Sequence, residues 1–273
     1  MATIVNSPDF AAIKTRQQHM WSSGDYNVIG VRILLMSELL CEAVDVRAGQ
    51  AVLDVATGSG NAALAAARRF CEVTGVDYVP ALLERGRQRA AAEGLPVSFQ
   101  EGDAERLPFP DDSFDVVLSV VGAMFAPNQD QVARELLRVC RPGGKVGLAN
   151  WTPDGFIGEL FRTIGKHVPP PAGLRPPALW GTEERLRELF GDGIESLQVN
   201  RRSFVFRYRS AEHYVEFMRT NYGPTLKAFE TLDPERQGHL ARDIAELVRR
   251  FNRADDESAI SPGDYLEVVA TKR

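Results

Sequence analysis

Short apolar runs alternate with amphipathic stretches from about residue 50 to 150, and this alternation most constrains the fold. Five runs have the character of β-strands: AVLDVA, EVTGVD, VSFQEGD, FDVVLSVV and GKVGLANW. The stretches NAALAAARRF, PALLERGRQRAAAEG and QDQVARELLRVC space their apolar residues by three and four, as helices do. Nearly continuous apolar strands that alternate with helices predict a doubly wound α/β fold, with a parallel sheet covered on both faces.

The rest of the chain adds helices and two strands. The N-terminal segment, residues 1–48, contains the amphipathic helix candidate VRILLMSELLCEAV. After the fifth strand comes the polyproline-like connection VPPPAGLRPP and then a helix, WGTEERLRELFG, with Thr182 as its predicted N-cap and Gly191 as its stop. A strand is predicted over 194–209, two helices over about 211–230 and 234–253, and a last strand in DYLEVVATKR.

Composition excludes several functional classes. The 273-residue chain has a formal net charge of −5, which argues against an extended nucleic-acid surface. Its longest apolar run, VVLSVVGAMF, is too short for a membrane span, and from the N-terminal residues we expect no secretory signal. The three cysteines, Cys41, Cys71 and Cys140, have no paired spacing, so we expect reduced thiols, no metal site and a cytoplasmic location. The oligomeric state is left open.

The stretch VLDVATGSGN indicates a ligand-binding turn. Gly58, Gly60 and Ala63 fit the dinucleotide fingerprint G-x-G-x-x-G/A, which predicts a nicotinamide or flavin cofactor. Asp54 lies at the end of the strand, four positions before Gly58, and its carboxylate would repel a pyrophosphate held there. S-adenosyl-L-methionine carries no phosphate, and its ammonium group can donate hydrogen bonds to a carboxylate. Asp54 therefore favours this second cofactor.

Two further strands also end in acidic residues. Asp77 is placed to accept both hydroxyls of an adenosine ribose, which suits either cofactor, and Tyr78 beside it could pack on the adenine. Asp103 follows the third strand, where its carboxylate can accept the adenine amino group while the Ala104 amide donates to a ring nitrogen. Dinucleotide-binding folds do not need an acid at this third position. Asp103 thus also favours S-adenosylmethionine.

Four motifs in order, LDVATGSGN, GVD, GDAERLPFPDDSFDVVLS and ELLRVCRPGGKVGLANW, together resemble the class I S-adenosylmethionine-dependent methyltransferase superfamily. They are most similar to its small-molecule branch, which includes the ubiquinone/menaquinone C-methyltransferases. The resemblance covers about residues 48–152. It implies a Rossmann-like, seven-stranded sheet, mostly parallel with an antiparallel last strand, plus a helical cap or insertion.

The resemblance also implies which residues contact the cofactor. Together with Trp21 and Tyr26, aromatic residues in the expected lid, the predicted cofactor-binding set is Asp54, Ala56, Thr57, Gly58, Asp77, Tyr78, Asp103, Ala104 and Ser119 with the turn after it. The family often has glycine at the position of Ala56. An alanine is tolerable there if its φ is negative, so a negative φ is the expectation.

The predicted function is methyl transfer to a small, partly hydrophobic organic acceptor at oxygen, nitrogen or carbon, by in-line displacement that depends mainly on positioning. Residues 1–48 are assigned to a helical lid, and residues 49–273 to a methyltransferase domain with substrate-binding insertions at about 153–192 and 211–258. The aromatic and apolar residues expected to supply the acceptor pocket are Phe125, Trp151, Phe156, Phe161, Trp180, Phe217, Met218 and Tyr222.

No catalytic residue is assigned. His19 and His167 are the main candidates for a general base, and neither has a pattern that singles it out. Two other functions stay open: an NAD(P)-dependent oxidoreductase, and a non-catalytic S-adenosylmethionine-binding module.

Overall fold

A seven-stranded sheet forms the centre of the computed structural model, which describes residues 8–273. Its strands are β1 Ala51–Val55, β2 Glu72–Asp77, β3 Val97–Glu101, β4 Phe114–Val120, β5 Cys140–Trp151, β6 Ile194–Tyr208 and β7 Ala259–Lys272. Their order across the sheet is β3-β2-β1-β4-β5-β7-β6. β1 pairs in parallel with β2 and with β4, whereas β7 is antiparallel to both of its neighbours, β5 and β6. The prediction of a mostly parallel sheet with an antiparallel last strand is confirmed.

Eleven α-helices accompany the sheet in the described chain. They are α1 Phe10–Trp21, α2 Tyr26–Gly30, α3 Leu34–Val44, α4 Asn61–Ala67, α5 Pro80–Glu93, α6 Gln129–Val139, α7 Phe156–His167, α8 Glu183–Phe190, α9 Ala211–Asn221, α10 Gly223–Glu230 and α11 Pro234–Phe251. Helices α3, α4 and α5 contact strands of the sheet, as do α6, α7 and α11. The strand order reverses between β1 and β4, which is where ligands bind in open α/β sheets.

Local sequence signals set several of the helix ends. α8 begins after Thr182, whose hydroxyl accepts the backbone N–H of Arg185, and ends at Gly191, which has a φ of +48°. The helix predicted over 211–230 is instead two helices, because Pro224 lies in the first turn of α10 and lacks the N–H that a continuous helix would need. The candidate helix from Val31 also begins differently, with the 3₁₀ turn Val31–Ile33 before α3.

Close backbone approaches position the elements at the end of β5. A Cβ added to Gly181 would lie 2.1 Å from the carbonyl oxygen of Trp151, so only glycine fits where the 3₁₀ turn Pro177–Gly181 crosses β5. The fully buried side chains of Trp180 and Phe156 pack in the core cluster around this crossing. The contact fixes how the segment after β5 folds back on the sheet.

We expect Gly181→Ala to destabilise the protein by about 1–3 kcal/mol, because the added methyl group would overlap the backbone of β5. Gly238 in α11 is the matched control, since a Cβ there meets nothing within 4 Å. Gly238→Ala should stabilise the helix by about 0.5–1 kcal/mol. Urea-unfolding midpoints measure both changes, and equal effects of the two substitutions would contradict the close approach.

Candidate active site

The turn between β1 and α4 has an unusual backbone. Ala56, Gly58 and Gly60 all have positive φ, of 53°, 56° and 87°. The turn is anchored to the neighbouring strand, because the Thr57 N–H donates to the Val76 carbonyl oxygen at 3.0 Å. This geometry places the turn at the carboxyl end of the sheet, beside the point where the strand order reverses.

The buried carboxylate of Asp54 holds this turn from the β1 side. Its Oδ2 accepts the Thr57 hydroxyl at 2.6 Å and the Ala63 backbone N–H at 2.9 Å. The second contact satisfies an N–H in the first turn of α4 that has no partner within the helix. Burial raises the pKa of Asp54 to about 7, although the Thr57 and Ala63 hydrogen bonds lower it. The carboxyl therefore titrates close to neutral pH.

Asp77 holds the turn from the β2 side. Its Oδ2 accepts the Gly58 N–H and its Oδ1 accepts the Val79 N–H, both at 2.9 Å. Burial raises its pKa to about 6, against the effect of those backbone hydrogen bonds. An ionised carboxylate has about four acceptor positions, so both oxygens of Asp77 keep capacity for ligand hydroxyls.

The expectation of a negative φ at Ala56 is wrong. Its φ is +53°, and Val121 in the turn after β4 has a φ of +46°. The two turns lie in close contact, because a Cβ added to Gly122 would be 2.5 Å from the Ala56 carbonyl oxygen. Non-glycine residues in this region store on the order of 1–3 kcal/mol of strain each, which the surrounding packing must offset.

An ion-pair cluster closes the β3 side of the site. Lys14 on α1 lies 2.5 Å from Asp103 Oδ2 and 2.9 Å from Glu105 Oε2. Partial burial lowers the pKa of Lys14, but its hydrogen bonds with Asp103 and Glu105 outweigh that effect and raise the pKa above its usual value. The cluster attaches α1 to the loop after β3, where Asp103 Oδ1 also accepts the Glu105 N–H at 2.9 Å.

Other side chains of α1 continue this attachment. Gln17 donates to the Phe125 carbonyl oxygen at 3.1 Å, and Gln18 donates to that of Tyr78. The Trp21 ring meets Phe125 edge-on, with the ring centroids 5.0 Å apart, and packs against Tyr26 and Tyr222 in the same way. The N-terminal helices thus cover the ends of β2 and β4.

These elements enclose one cavity, and ten of the predicted cofactor-binding residues line it. They are Trp21, Tyr26, Asp54, Ala56, Thr57, Gly58, Asp77, Tyr78, Asp103 and Ala104. Ser119 does not line the cavity: its hydroxyl donates to the Val55 carbonyl oxygen at 2.7 Å and accepts the Ala123 N–H at 3.0 Å. The turn that it stabilises does line the cavity.

Further lining residues did not emerge from the sequence as candidates for this site. They are Lys14, Gln17, Ile33, Ser59, Asn61, Ala62, Val79, Leu82, Gly102, Ala123, Ala126 and Pro127. Of the residues expected in the acceptor pocket, Phe125 lines the cavity, whereas Trp151, Phe156 and Trp180 are buried in the core. Those three fill the space between the sheet and its surrounding helices.

Neither histidine candidate for a general base reaches the cavity. His19 is exposed on α1, and His167 Nε2 lies 2.7 Å from Asp243 Oδ2 on α11. Within residues 8–273, no cluster of histidine, cysteine and acidic side chains could hold a metal ion. No helix in the same range is both long enough and apolar enough to cross a membrane.

The chain is similar in sequence to known proteins. Residues 52–144 match a family profile described as a methyltransferase domain. An uncharacterised protein of Mycobacterium tuberculosis is 38% identical over 259 residues, which cover 93% of each chain. The demethylmenaquinone methyltransferase of Deinococcus radiodurans is 42% identical over 126 residues, 45% of this chain and 52% of that protein.

Solved structures support the fold. The YcgJ protein of Bacillus subtilis has a TM-score of 0.62 at 22% identity, over 87% of this chain and 98% of its own. A putative methyltransferase of Bacillus halodurans has a TM-score of 0.60 at 23% identity, over 86% of this chain and 98% of its own.

The raised pKa of Asp54 predicts a distinct dependence of stability on pH. Between the usual value for an unfolded aspartate, about 3.9, and the native value of about 7, the native state binds a proton that the unfolded state lacks. This carboxyl therefore contributes less stability as pH rises. The amide of an Asp54→Asn variant does not titrate, so the variant lacks this effect. We therefore compare the free energies of unfolding of the wild type and the variant. The wild-type value minus the variant value should fall by at least about 1 kcal/mol from pH 5 to pH 8.

Urea unfolding of the ligand-free protein at the two pH values measures this difference. Asp111→Asn is the control, because Asp111 is an exposed carboxylate paired with Arg138 and its charge is already solvated. A difference for Asp54→Asn that stayed constant or grew would show that the site does not suppress ionisation.

Proposed function

Because this chain is a class I S-adenosylmethionine-dependent methyltransferase, we propose that its cavity holds S-adenosyl-L-methionine and that a small, partly hydrophobic organic acceptor binds beside it. One observation carries the assignment of the cavity: three acidic strand ends, Asp54, Asp77 and Asp103, line the same space. Such a set of acceptors fits a ligand that donates through an ammonium group, ribose hydroxyls and an adenine amino group. A pyrophosphate held on the turn would instead meet the carboxylate of Asp54. The oxidoreductase alternative is set aside on this ground.

Each carboxylate has a proposed partner. Asp77 accepts the ribose hydroxyls, and Asp103, with the Ala104 N–H, binds the edge of the adenine. Asp54 faces the positively charged amino-acid end, and a cation there favours the ionised form of this buried carboxyl. Tyr78 packs on the adenine. Ala56, Thr57 and Gly58 approach the ligand with their backbone.

The acceptor side of the cavity is apolar. Away from the three acidic strand ends and the glycine turn, the cavity has apolar lining residues. They include Trp21, Ile33, Phe125, Ala126 and Pro127. Such a wall favours an acceptor with hydrophobic surface over a charged polymer. It supports an acceptor small enough to be enclosed under α1.

The protein's main contribution to methyl transfer is alignment. A sulfonium-bound methyl group is already activated, so holding the acceptor in line can supply roughly 7–11 kcal/mol of the barrier. Burial, together with the charge of Asp77, raises the pKa of Tyr26 to about 12, which keeps its hydroxyl protonated and suited to donating a hydrogen bond. No histidine is among the lining residues that the structure describes. The proposal assigns no general base.

The test combines binding with transfer. Calorimetric titration of ligand-free protein should give micromolar binding of the product S-adenosyl-L-homocysteine and no heat from NAD or NADP. With a methyl-labelled donor and a metabolite extract, the label should enter the organic-extractable small molecules. Binding of NAD alone would overturn the cofactor assignment, and label confined to protein or nucleic acid would overturn the acceptor class.

We also assign α1, with the rest of residues 8–48, the role of a lid. Lys14→Met removes the ion pairs with Asp103 and Glu105 while leaving the helix intact. We expect S-adenosylhomocysteine to dissociate at least about tenfold faster from this variant, because loss of a charge-assisted contact of roughly 1.5 kcal/mol loosens the lid. Stopped-flow displacement measures the rate.

Arg16→Met is the matched control, since Arg16 is exposed on the same helix and makes no ion pair within the described residues. The control should dissociate at the wild-type rate. Equal rates for Lys14→Met and the wild type would mean that α1 does not limit exit of the ligand.

A further inference from the structure

A second cleft lies outside the cavity described above. Its volume is about 470 Å³, and it is bounded by the end of β6, the start of β7, α9 and the 3₁₀ turn Val31–Ile33. The residues that line it are Arg32, Arg207, Tyr208, Arg209, His213, Phe217, Ser258 and Ile260. We call it the arginine cleft.

Three arginines, Arg32, Arg207 and Arg209, line the arginine cleft, and none of them has a carboxylate partner in the described chain. Arg32 lies over the Phe217 ring, 4.6 Å from its centroid, and donates to the Val28 carbonyl oxygen. Arg207 donates to the Val205 carbonyl oxygen at 3.1 Å. Earlier in the same strand, β6, Arg201 pairs with Asp154 and with Asp264. The charges of the arginines in the cleft are therefore uncompensated, whereas the charge of Arg201 on the same strand is compensated.

His213 adds a hydrogen-bond donor to this set. Its Nδ1 accepts the Arg209 backbone N–H at 3.2 Å, so in the neutral ring the proton is on Nε2. Partial burial lowers the pKa of His213, and the charges of Arg209 and Arg32 lower it further. A negative group in the cleft would reverse these charge effects.

The acidic residues nearby do not neutralise the cleft. Asp255, Asp256 and Glu257 precede Ser258 in the chain, and Asp256 accepts the Ser258 backbone N–H at 2.8 Å. Glu212, in the first turn of α9, pairs with Arg249. Across residues 8–273, none of these four carboxylates is within ion-pair distance of the three arginines.

We propose that the arginine cleft binds a phosphate group. Guanidinium groups match phosphate oxygens with paired, charge-assisted hydrogen bonds, and three of them suit a dianion better than a carboxylate with its single charge. The His213 Nε2–H and the Tyr208 and Ser258 hydroxyls supply further donors at the same place. The proposal does not depend on the methyltransferase reaction, since S-adenosylmethionine carries no phosphate.

The proposal is tested by NMR titration of the histidine rings in the full chain. The sequence has four histidines, and His213→Gln assigns the signal. Inorganic phosphate, added at constant ionic strength against chloride, should raise the pKa of His213 by roughly one pH unit. The ring signals of the other three histidines should not change on addition of phosphate. The double variant Arg207→Gln/Arg209→Gln should lose the response. Arg85→Gln, on the exposed face of α5, should keep it.

Two further probes identify the source of the phosphate. If phenyl phosphate binds more tightly than inorganic phosphate, the natural ligand is a phosphate monoester whose larger part packs on Phe217. If inorganic phosphate binds more tightly, the natural ligand is free phosphate. Three results would overturn the proposal: a His213 response no larger than with chloride, an equal response to acetate, or an unchanged response in a double variant that still binds S-adenosylhomocysteine.

Discussion

The site depends on how two buried carboxylates hold one turn. Asp54 and Asp77 accept backbone and hydroxyl donors from opposite sides of the segment after β1, and so fix its left-handed conformation. Burial raises the pKa of both groups, which means that the turn is held at an electrostatic cost in the absence of a cation. The residues that give the turn its shape are also those proposed to bind the ligand, so shape and recognition cannot be varied independently.

Strain accompanies this arrangement. Ala56 and Val121 adopt positive φ on the two turns that meet where the strand order reverses, although neither is a glycine. The contact between Gly122 and the Ala56 carbonyl oxygen leaves no room to relax. Hydrogen bonds from Ser119 to Val55 and from Ala123 to Ser119 hold the second turn in place. The neighbours thus overdetermine both conformations, as is common in ligand-binding turns.

Most of the sheet and the strand-end residues could be predicted, because both follow from local patterns. Parallel strands bring their carboxyl ends to one edge, so three acids at strand ends had to converge. Lys14 could not be found in this way, since its contact with Asp103 spans 89 positions and no motif marks it. The prediction of the acceptor pocket from aromatic residues was only partly right for a related reason. Composition does not distinguish Phe125 in the cavity wall from Trp180 in the core. The positive φ of Ala56 is not marked by a glycine, so the sequence did not show it.

The N-terminal helices contact the helices before β7 directly through their backbones. The Asp25 N–H donates to the Asn221 carbonyl oxygen at 3.1 Å, and Gly24 forms a bridge with Tyr222. A Cβ added to Gly24 would be 2.5 Å from the carbonyl oxygen of Asn221, and a Cβ added to Gly223 would be 2.1 Å from that of Met20. The backbone at the end of α1 is therefore in contact with the backbone between α9 and α10. By contrast, α1 is held to the rim of the cavity through long side chains such as Lys14 and Gln17. In the lid role proposed for α1, opening at the rim would therefore pivot on the junction with α9 and α10.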